Sequence, residues 1–380
     1  MLPASILVLL IWIYLTFLHA RFWRIRRYQL PHQSSTERRS VAIVIPARNE
    51  ANVVPRALSS LLLQNVAGEL RIFLVDDNSS DGTGNAARAA AGILGLGNKL
   101  VVIRGKPLPP GWTGKVWAMH QGWDAAREMR PDYVLLTDAD VEHAPDNLAR
   151  LIAQAEQGSF DLVSVIVKLH CQTLAEKFLI PAFVYFFFLL YPPQRSSSPR
   201  SKIAGAAGGC LLVRTAALEK VKAFECIRSE IIDDCSLAAR VKSSGGRLWL
   251  GLTQETRSIR GYGTVTNLRN MIARTAFNQL RHSSWLLAAC LFGMLLTFVA
   301  PLGLVWTEDA TAGWIALAAC ILMFTTYVPA LQLYNVNSLS AVTLPLAAIF
   351  NVYATIYSAV NYWRGKGGRW KDRVQDPLHL

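Results

Sequence analysis

The chain has 380 residues, of which 52% are hydrophobic and only 17% are charged. This composition is too apolar for a disordered chain and too poor in charge for an ordinary soluble domain, so it indicates a folded domain joined to membrane segments. The net charge of +13 fits either nucleic acid or an anionic membrane surface, and the apolar content favours the membrane and excludes nucleic acid as the partner.

The first apolar run, residues 4–20, predicts a transmembrane anchor at residues 1–22. Positive charges follow this run, at Arg21, Arg24, Arg26 and Arg27. A cleavable signal peptide would carry them in front, so we expect an uncleaved anchor with the following residues in the cytoplasm, by the positive-inside rule. The six cysteines have neither C-x-x-C nor zinc spacing, as is typical of a reducing compartment.

Residues 40–255 alternate strand and helix patterns. Short apolar runs predict strands at 40–46, 71–76, 100–104, 133–137 and 161–167. Helical patterns lie between them, at roughly 52–64, 83–91, 115–129 and 145–157, and Pro145 fits a first helical position. Continuous apolar strands of this kind predict an α/β fold with a mostly parallel sheet that is covered on both faces.

Carboxylates follow three of the predicted strands. The first strand leads into PARNE at 46–50, the second into DDNSSDGT at 76–83, and the fourth into DAD at 138–140. Ligands bind beyond the carboxyl ends of the strands in such sheets. We therefore expect these carboxylates to converge at one edge.

Asp138 and Asp140 are two residues apart at a strand end, where extended geometry points both side chains the same way. Carboxylate oxygens are ligands that Mg²⁺ and Mn²⁺ prefer. A solvated turn is the alternative, but the preceding apolar strand favours a divalent metal site.

Two further acidic pairs each have two interpretations. Asp76-Asp77 could form a turn and cap the next helix, or could accept hydrogen bonds from a nucleobase and a ribose. Asp233-Asp234 begins a helical pattern, where negative charge is favourable, or supplies a general base that deprotonates an acceptor hydroxyl. The sequence alone supports these two interpretations of Asp233-Asp234 almost equally.

Basic residues near these sites could hold a diphosphate. Lys115 follows Gly114, and Arg274–His282 belongs to a basic juxtamembrane helical segment at 256–284 that could equally bind anionic lipid. The basic tail at 363–380 offers further cations in Arg369-Trp370-Lys371.

Three apolar runs at about 285–306, 312–333 and 339–362 predict transmembrane helices over residues 285–362. Three spans would put the basic tail outside, whereas its charge favours the inside; either one run is re-entrant or interfacial, or the charge rule fails. The shorter run 178–191 contains Pro181 and is interpreted as a segment lying on the membrane.

The order V-x-I-P-A-R-N-E, V-D-D-N-S-S-D-G-T, T-D-A-D, I-D-D over roughly residues 40–285 resembles the family 2 glycosyltransferases of the GT-A fold. GWTGKVWA at 111–118, the flanking apolar runs and the tail WRGKGGRWKDR resemble the bacterial hopene-associated group of that family. The resemblance implies a hexosyltransferase of the cytoplasmic (inner) membrane, multi-pass, with its catalytic domain facing the cytoplasm. It also implies a nucleotide-sugar donor, with UDP-sugars expected, and a lipid acceptor related to hopanoids.

The resemblance also implies roles for single residues. Asp234 would be the catalytic base, with Asp233 in place of the family's Glu, and Asp138 and Asp140 would hold Mg²⁺ or Mn²⁺. The donor would be bound by Pro46, Ala47, Arg48, Glu50, Asp76, Asp77, Lys115, Asp138 and Arg281. The implied reaction is a single displacement with inversion.

Three other functions fit the sequence less well. A processive polysaccharide synthase would carry Q-x-x-R-W, whereas this chain has Asn278-x-x-Arg281-His282 and few membrane runs. A catalytically silent membrane scaffold would not need carboxylates at all four motifs. A transporter would need its carboxylates inside the apolar runs.

Overall fold

The computed structural model describes residues 1–368, 370 and 371, which divide into two compact units. The sheet unit comprises Tyr28–His170 and Arg195–Gly261 together with residues 370 and 371, and the helical unit comprises Met1–Arg27, Cys171–Gln194 and Tyr262–Gly368. The sheet unit includes residues 40–170 and 195–255 of the predicted domain and extends beyond residues 40 and 255, whereas residues 171–194 belong to the helical unit. Of the predicted tail, Arg369 and residues 372–380 lie outside the described residues.

Eight strands form one sheet in the order β3-β2-β1-β4-β7-β6-β8-β5. They are β1 Val41–Ala47, β2 Leu70–Asp76, β3 Leu100–Arg104, β4 Tyr133–Thr137, β5 Val141–Glu142, β6 Leu162–Lys168, β7 Cys210–Arg214 and β8 Leu248–Ser258. The first four strands are parallel, β7 runs antiparallel between β4 and β6, and β8 is parallel to β6. The mostly parallel α/β sheet is confirmed. The five predicted strands are all present with bounds shifted by at most one residue, and β5, β7 and β8 are additional.

Fourteen α-helices lie within the described residues. They are α1 Leu2–Ile13, α2 Val54–Leu62, α3 Thr83–Ile93, α4 Gly114–Ala126, α5 Asn147–Gln157, α6 Leu174–Leu190, α7 Pro193–Ser197, α8 Thr215–Lys220, α9 Asp233–Ser243, α10 Val265–Gln279, α11 Ser284–Met294, α12 Ala300–Leu304, α13 Ala310–Leu333 and α14 Leu344–Trp363. The expected position of Pro145 was wrong, because α5 begins at Asn147 after Asp146, so Pro145 precedes the helix.

The central strands are apolar along their whole length because both faces of the sheet are covered. Every residue of β1 is buried. Ile43 and Ile45 pack in one core with α2, α3 and α5, and Ala42 and Val44 pack in a second core with α4, α8 and α9. Side chains that alternate between two buried faces leave polar groups only at the strand ends, where the candidate site lies.

The helical unit contains four helical segments long and apolar enough to cross a membrane, at Leu174–Ser197, Ser284–Leu304, Ala310–Leu333 and Ser338–Trp363. The predicted anchor is a shorter apolar helix, Leu2–Leu18. The run expected at 178–191 begins earlier, because Thr173 and Glu176 form a capping box that starts α6 at Leu174. Its length therefore no longer excludes a span.

Candidate active site

Two loops at the carboxyl ends of β1 and β2 are joined by hydrogen bonds. The Glu50 N–H donates to Thr83 Oγ1 at 2.8 Å, and the Ala51 N–H donates to Asp81 at 2.9 Å. Arg48 donates from Nη1 to the Asp77 carbonyl at 2.6 Å. These contacts hold Arg48 against Asp77 and join the segment at Glu50 to the loop after β2.

The neighbouring carboxylates Asp76 and Asp77 have different surroundings. Asp76 accepts the Ser79 N–H at 2.9 Å and the Gly84 N–H at 3.1 Å, one with each oxygen, so it holds the turn into α3. Asp77 is only 1% exposed, and its Oδ2 lies 3.7 Å from Arg48 Nη1. The turn interpretation therefore holds for Asp76, whereas binding of a nucleobase or ribose by Asp77 stays a prediction.

Lys115, in the first turn of α4, lies between two acidic elements. Its Nζ is 3.0 Å from Asp138 Oδ1 at the end of β4 and 3.4 Å from Asp233 Oδ2 at the start of α9. Asp138, Lys115, Asp233 and Asp234 line one cleft, together with Pro46 from β1. The strand-end carboxylate and the acidic pair thus meet through one cation, although about 95 residues separate them in the sequence.

Asp234 is held by two backbone donors. The Gly208 N–H donates to Oδ2 and the Cys235 N–H donates to Oδ1, each at 2.7 Å. Burial and the adjacent Asp233 carboxylate raise the pKa of Asp234 to about 6, against the opposing effect of Lys115 and the two backbone donors. A fixed carboxylate whose pKa lies close to neutrality suits proton abstraction.

Gly208 is the residue that allows this approach. A Cβ at this position would lie 3.1 Å from Lys115 Nζ and 3.3 Å from Asp234 Oδ2, which is closer than nearly all Cβ contacts. The glycine-rich segment at 205–210 thus brings its backbone against a carboxylate.

A chain of hydrogen bonds between buried side chains holds the same glycine-rich loop at Gly209. Asn147 Nδ2 lies 3.0 Å from His143 Nδ1, His143 Nε2 lies 2.9 Å from Thr137 Oγ1, and Thr137 donates to the Gly209 carbonyl at 2.8 Å. The carbonyl can only accept, so Thr137 accepts from His143 Nε2–H, and Nδ1 accepts from Asn147. Burial lowers the pKa of His143 to about 3, which keeps the ring neutral.

Glu50 and Asp140 are joined by Arg260, which follows β8. Arg260 Nε donates to Asp140 Oδ2 at 3.0 Å, and its Nη2 donates to Glu50. Lys371 pairs with the other oxygen of Glu50 and lies 3.5 Å from the Asn49 carbonyl. Burial raises the pKa of Glu50, while Lys371 and Arg260 lower it.

The structure therefore collects most of the predicted site residues at one edge of the sheet. Ala47 is buried at the end of β1. Arg281 is the exception: it follows α10 in the helical unit, with a positive φ of 52° and an exposed side chain. In the described part of the chain, no three His, Cys, Asp or Glu side chains converge to hold a metal ion.

Arg260 and His143 were missed as site residues. Arg260 lies just beyond a strand that the sequence analysis did not predict, so its place at the same edge was not visible. His143 carries no metal-ligand spacing, and its partner Thr137 is recognisable only once β4 and the Gly209 loop are brought together.

Sequence comparison decides the family. The model of the family described as "Glycosyl transferase family 2" matches residues 42–222. These residues form a glycosyltransferase family 2 domain. The match begins in β1 and contains the carboxylates at the ends of β1, β2 and β4, so the family expectation is confirmed.

Curated relatives of this family 2 domain align over part of their length. An undecaprenyl-phosphate 4-deoxy-4-formamido-L-arabinose transferase of Pseudomonas fluorescens is 32% identical over 128 residues, 33% of this chain and 35% of the relative. A 4,4'-diaponeurosporenoate glycosyltransferase of Staphylococcus haemolyticus is 31% identical over 133 residues, 34% of this chain and 32% of the relative. The chain thus spans about a third of the length of these relatives.

A solved structure shows the same fold over a longer stretch. A mannosyltransferase from Pyrobaculum calidifontis, in complex with GDP-Man and Mn²⁺, superposes with a TM-score of 0.56 at 16% identity. The superposition covers 93% of this chain and 99% of that one. The expected GT-A fold of the family 2 domain is confirmed, and the chain also contains the four apolar helical segments described above.

Proposed function

We propose that this protein transfers a sugar from a nucleotide-sugar donor to a lipid acceptor at a membrane. The observation that carries the proposal is the cleft in which Asp234 is fixed by backbone donors beside Lys115, which also binds Asp138. The names of the two relatives above each contain a lipid acceptor, undecaprenyl-phosphate or diaponeurosporenoate. The apolar helices of this chain provide the matching membrane contact.

Asp234 is proposed to act as the general base. It takes the proton from the acceptor hydroxyl, whose oxygen then attacks the anomeric carbon as the bond to the donor diphosphate breaks. A single base without a separate carboxylate nucleophile gives inversion. With its pKa at about 6, Asp234 is mostly ionised at pH 7 and is still basic enough to accept a proton.

The donor nucleotide is proposed to bind along Arg48, Glu50 and Asp77. Asp77 and Glu50 are buried acceptors at the ends of two strands, suited to the N–H and O–H groups of a base and a ribose. Arg260 and Lys371 are the cations closest to Glu50 and would meet the negative diphosphate. Lys115 is proposed to stabilise the departing diphosphate from the other side of the cleft.

Asp138 and Asp140 fit a divalent cation through their oxygen donors and their position. The Asp138 carboxylate is 38% exposed, so its oxygens can accept a further ligand, and Asp140 follows on the same strand end. Mg²⁺ or Mn²⁺ commonly shares one or two carboxylates with substrate phosphates. Bound there, the cation would neutralise charge on the diphosphate.

The acceptor and the location are proposed from the resemblance. The acceptor is proposed to be a hopanoid-related lipid and the donor a UDP-sugar. The positive charges after residue 20 support a cytoplasmic catalytic side in a bacterial inner membrane.

The test is nucleotide release by the full chain in lipid, with UDP-, GDP- and CDP-sugars, membrane lipid extract, and Mg²⁺ or Mn²⁺. Wild type is expected to release nucleotide with one donor, whereas Asp234→Asn and Asp140→Ala are not. Asp124→Asn is the matched control, because Asp124 is a half-exposed carboxylate on α4 that pairs with His120 and Arg127. Absence of release with every donor, or equal release by Asp234→Asn and wild type, would contradict the proposal.

A further inference from the structure

The end of α13 can be placed relative to the arginine-rich segment that follows α1. Phe22, next to Arg21, contacts the ring of Tyr185 at 5.2 Å between centroids. Tyr185 in turn hydrogen-bonds Thr326 at 3.0 Å and contacts the ring of Tyr327 at 5.4 Å. The last two turns of α13 therefore lie on the side of the membrane where the chain enters the sheet unit, called here the catalytic side.

The start of α13 lies on the opposite side. The helix has 24 residues, or about 36 Å at 1.5 Å per residue, enough to cross the hydrocarbon core. Glu308 and Asp309 precede it, and Trp306 and Trp314 are 87% and 70% exposed. Acidic residues and exposed tryptophans at one end of a helix are typical of the far interface.

The end of α14 can be placed by the helix that follows the sheet unit. Ser358 accepts the Phe277 N–H at 3.1 Å and donates to the Ala273 carbonyl, and Tyr362 stacks on His282 at 3.9 Å. One turn earlier, Arg269 lies 3.9 Å from the ring centre of Tyr357. The last three turns of α14 thus run parallel to α10.

Helix α10 cannot lie in hydrocarbon. It carries Arg269 and Arg274 as well as Asn267, Asn270 and Asn278, and it begins three residues after the sheet unit ends. Charged side chains at the centre of a bilayer are costly. Consequently α10, and with it the end of α14, stays on the catalytic side.

Because α13 ends and α14 ends on the same side, we infer that α14 does not cross the membrane but lies in its interface on the catalytic side. One face of α14 suits this position. Residues spaced three, four and seven apart on that face have exposed fractions of 42% to 59%: Leu346, Ile349, Tyr353, Ile356 and Trp363. This stripe faces the boundary between headgroups and acyl chains, while the exposed Arg274 on α10 suits anionic headgroups.

The inference removes the conflict between the number of spans and the charge of the tail. Residues 282–363 contain neither Lys nor Arg, whereas Arg364 and Lys366 follow directly. Helix α6 leaves the sheet unit after His170 and the chain returns to that unit at Arg195, so α6 does not cross the membrane. With crossings by residues 2–18, 284–304 and 310–333, these charges lie on the catalytic side. The contact of Lys371 with Glu50 inside the sheet unit requires the same side. Length and composition alone count Ser338–Trp363 as a span; the contacts of its two ends argue against it.

Cysteine labelling of the full chain in intact cells tests the sides. We expect a membrane-impermeant thiol reagent to label Glu308→Cys from one side and Lys366→Cys from the other, above the background of the unsubstituted chain. Labelling of both positions from the same side would overturn the inference. The result does not depend on transferase activity, so it is separate from the test of the proposed function.

A matched pair of substitutions tests whether α14 lies in the interface. Ile356 on α14 and Ile321 on α13 are 42% and 57% exposed. We expect Ile356→Lys to keep the amount of membrane-inserted protein within about twofold of wild type, because an interfacial lysine reaches the headgroups. Ile321→Lys should lower it at least about tenfold, because its charge lies at mid-membrane. An equal loss for both would overturn the inference.

Discussion

The candidate site contains two groups of carboxylates that are held in different ways. In the base group, both oxygens of Asp234 accept hydrogen bonds from the backbone, and Lys115 bridges Asp233 and Asp138. In the donor group, the carboxylates of Glu50 and Asp140 pair with the ends of long side chains, those of Arg260 and Lys371. Backbone donors cannot leave without unfolding the loop, whereas flexible cations can exchange one anion for another.

This difference suggests that the two groups of carboxylates have different functions. The base group is organised before substrate arrives, which lowers the cost of reaching the transition state. The donor group is neutralised by cations that the diphosphate and a divalent cation can draw away. The predictions below test this contrast, beginning with the largest expected effect.

Replacing the base should abolish turnover. Asp234→Asn keeps the size of the side chain, but its amide cannot accept a proton and can accept only one of the two backbone hydrogen bonds, so kcat should fall by about 10³-fold. Wild-type activity should decline as the pH falls through about 6, because protonation removes the base. Turnover measured from pH 5 to 9 checks both statements, and an unchanged profile in the variant would contradict them.

Removing the bridging cation should have the next largest effect. Lys115→Gln should lower kcat by about 10²-fold, since it removes charge stabilisation from the cleft. Because Lys115 lowers the pKa of Asp234, the acidic limb of the residual activity should also move to higher pH. Lys115→Arg should restore part of the rate. If the acidic side of the pH–rate profile does not move in Lys115→Gln, the result would argue against an effect of Lys115 on the pKa of Asp234.

A substitution in the donor group should change the KM for the donor rather than kcat. Lys371→Ala should raise the KM for the donor by about tenfold with little change in kcat, as expected when a contact is made equally in ground and transition states. Lys366→Ala is the control, because it removes an exposed positive charge from the same tail. If both substitutions change KM equally, general attraction explains the effect.

His143 should affect the base through position alone. His143→Leu removes the donor to Thr137, which leaves a buried hydroxyl without this partner and loosens the Gly209 loop. We expect kcat to fall about five- to tenfold with donor KM unchanged. His143→Gln can donate to Thr137 again and should recover most of the rate, whereas a purely packing role would predict no recovery.

The smallest expected effect concerns stability. The pKa of Asp234 is raised in the folded protein, so its ionisation makes folding less favourable as the pH rises through about 6. Asp234→Asn cannot ionise and should lack this loss, so its unfolding temperature relative to that of wild type should be about 2–4 °C higher at pH 8 than at pH 4. Thermal unfolding of both proteins in lipid or detergent at the two pH values checks this, and a difference that does not change with pH would contradict it.

The sequence by itself determined the strands and the carboxylates that follow them. Apolar runs such as YVLLT at 133–137 must be buried, and a carboxylate directly after a buried strand must lie at the edge of the sheet, so Asp138, Asp140 and Asp77 could be placed from pattern alone. The acidic pair could not be assigned. Only the folded chain brings the Gly208 N–H to Asp234 and Lys115 to Asp233.

Only the tertiary structure shows which cations contact the carboxylates. It alone also separates α14, inferred to begin and end on one side of the membrane, from α13, inferred to cross it. Arg260 and Lys371 are remote in sequence from Glu50, and no periodicity links them. Likewise, hydropathy gives α13 and α14 similar values, 1.9 and 1.7. What distinguishes these helices is the set of neighbours at their ends, because composition records how apolar a helix is, whereas only packing records the side on which it ends.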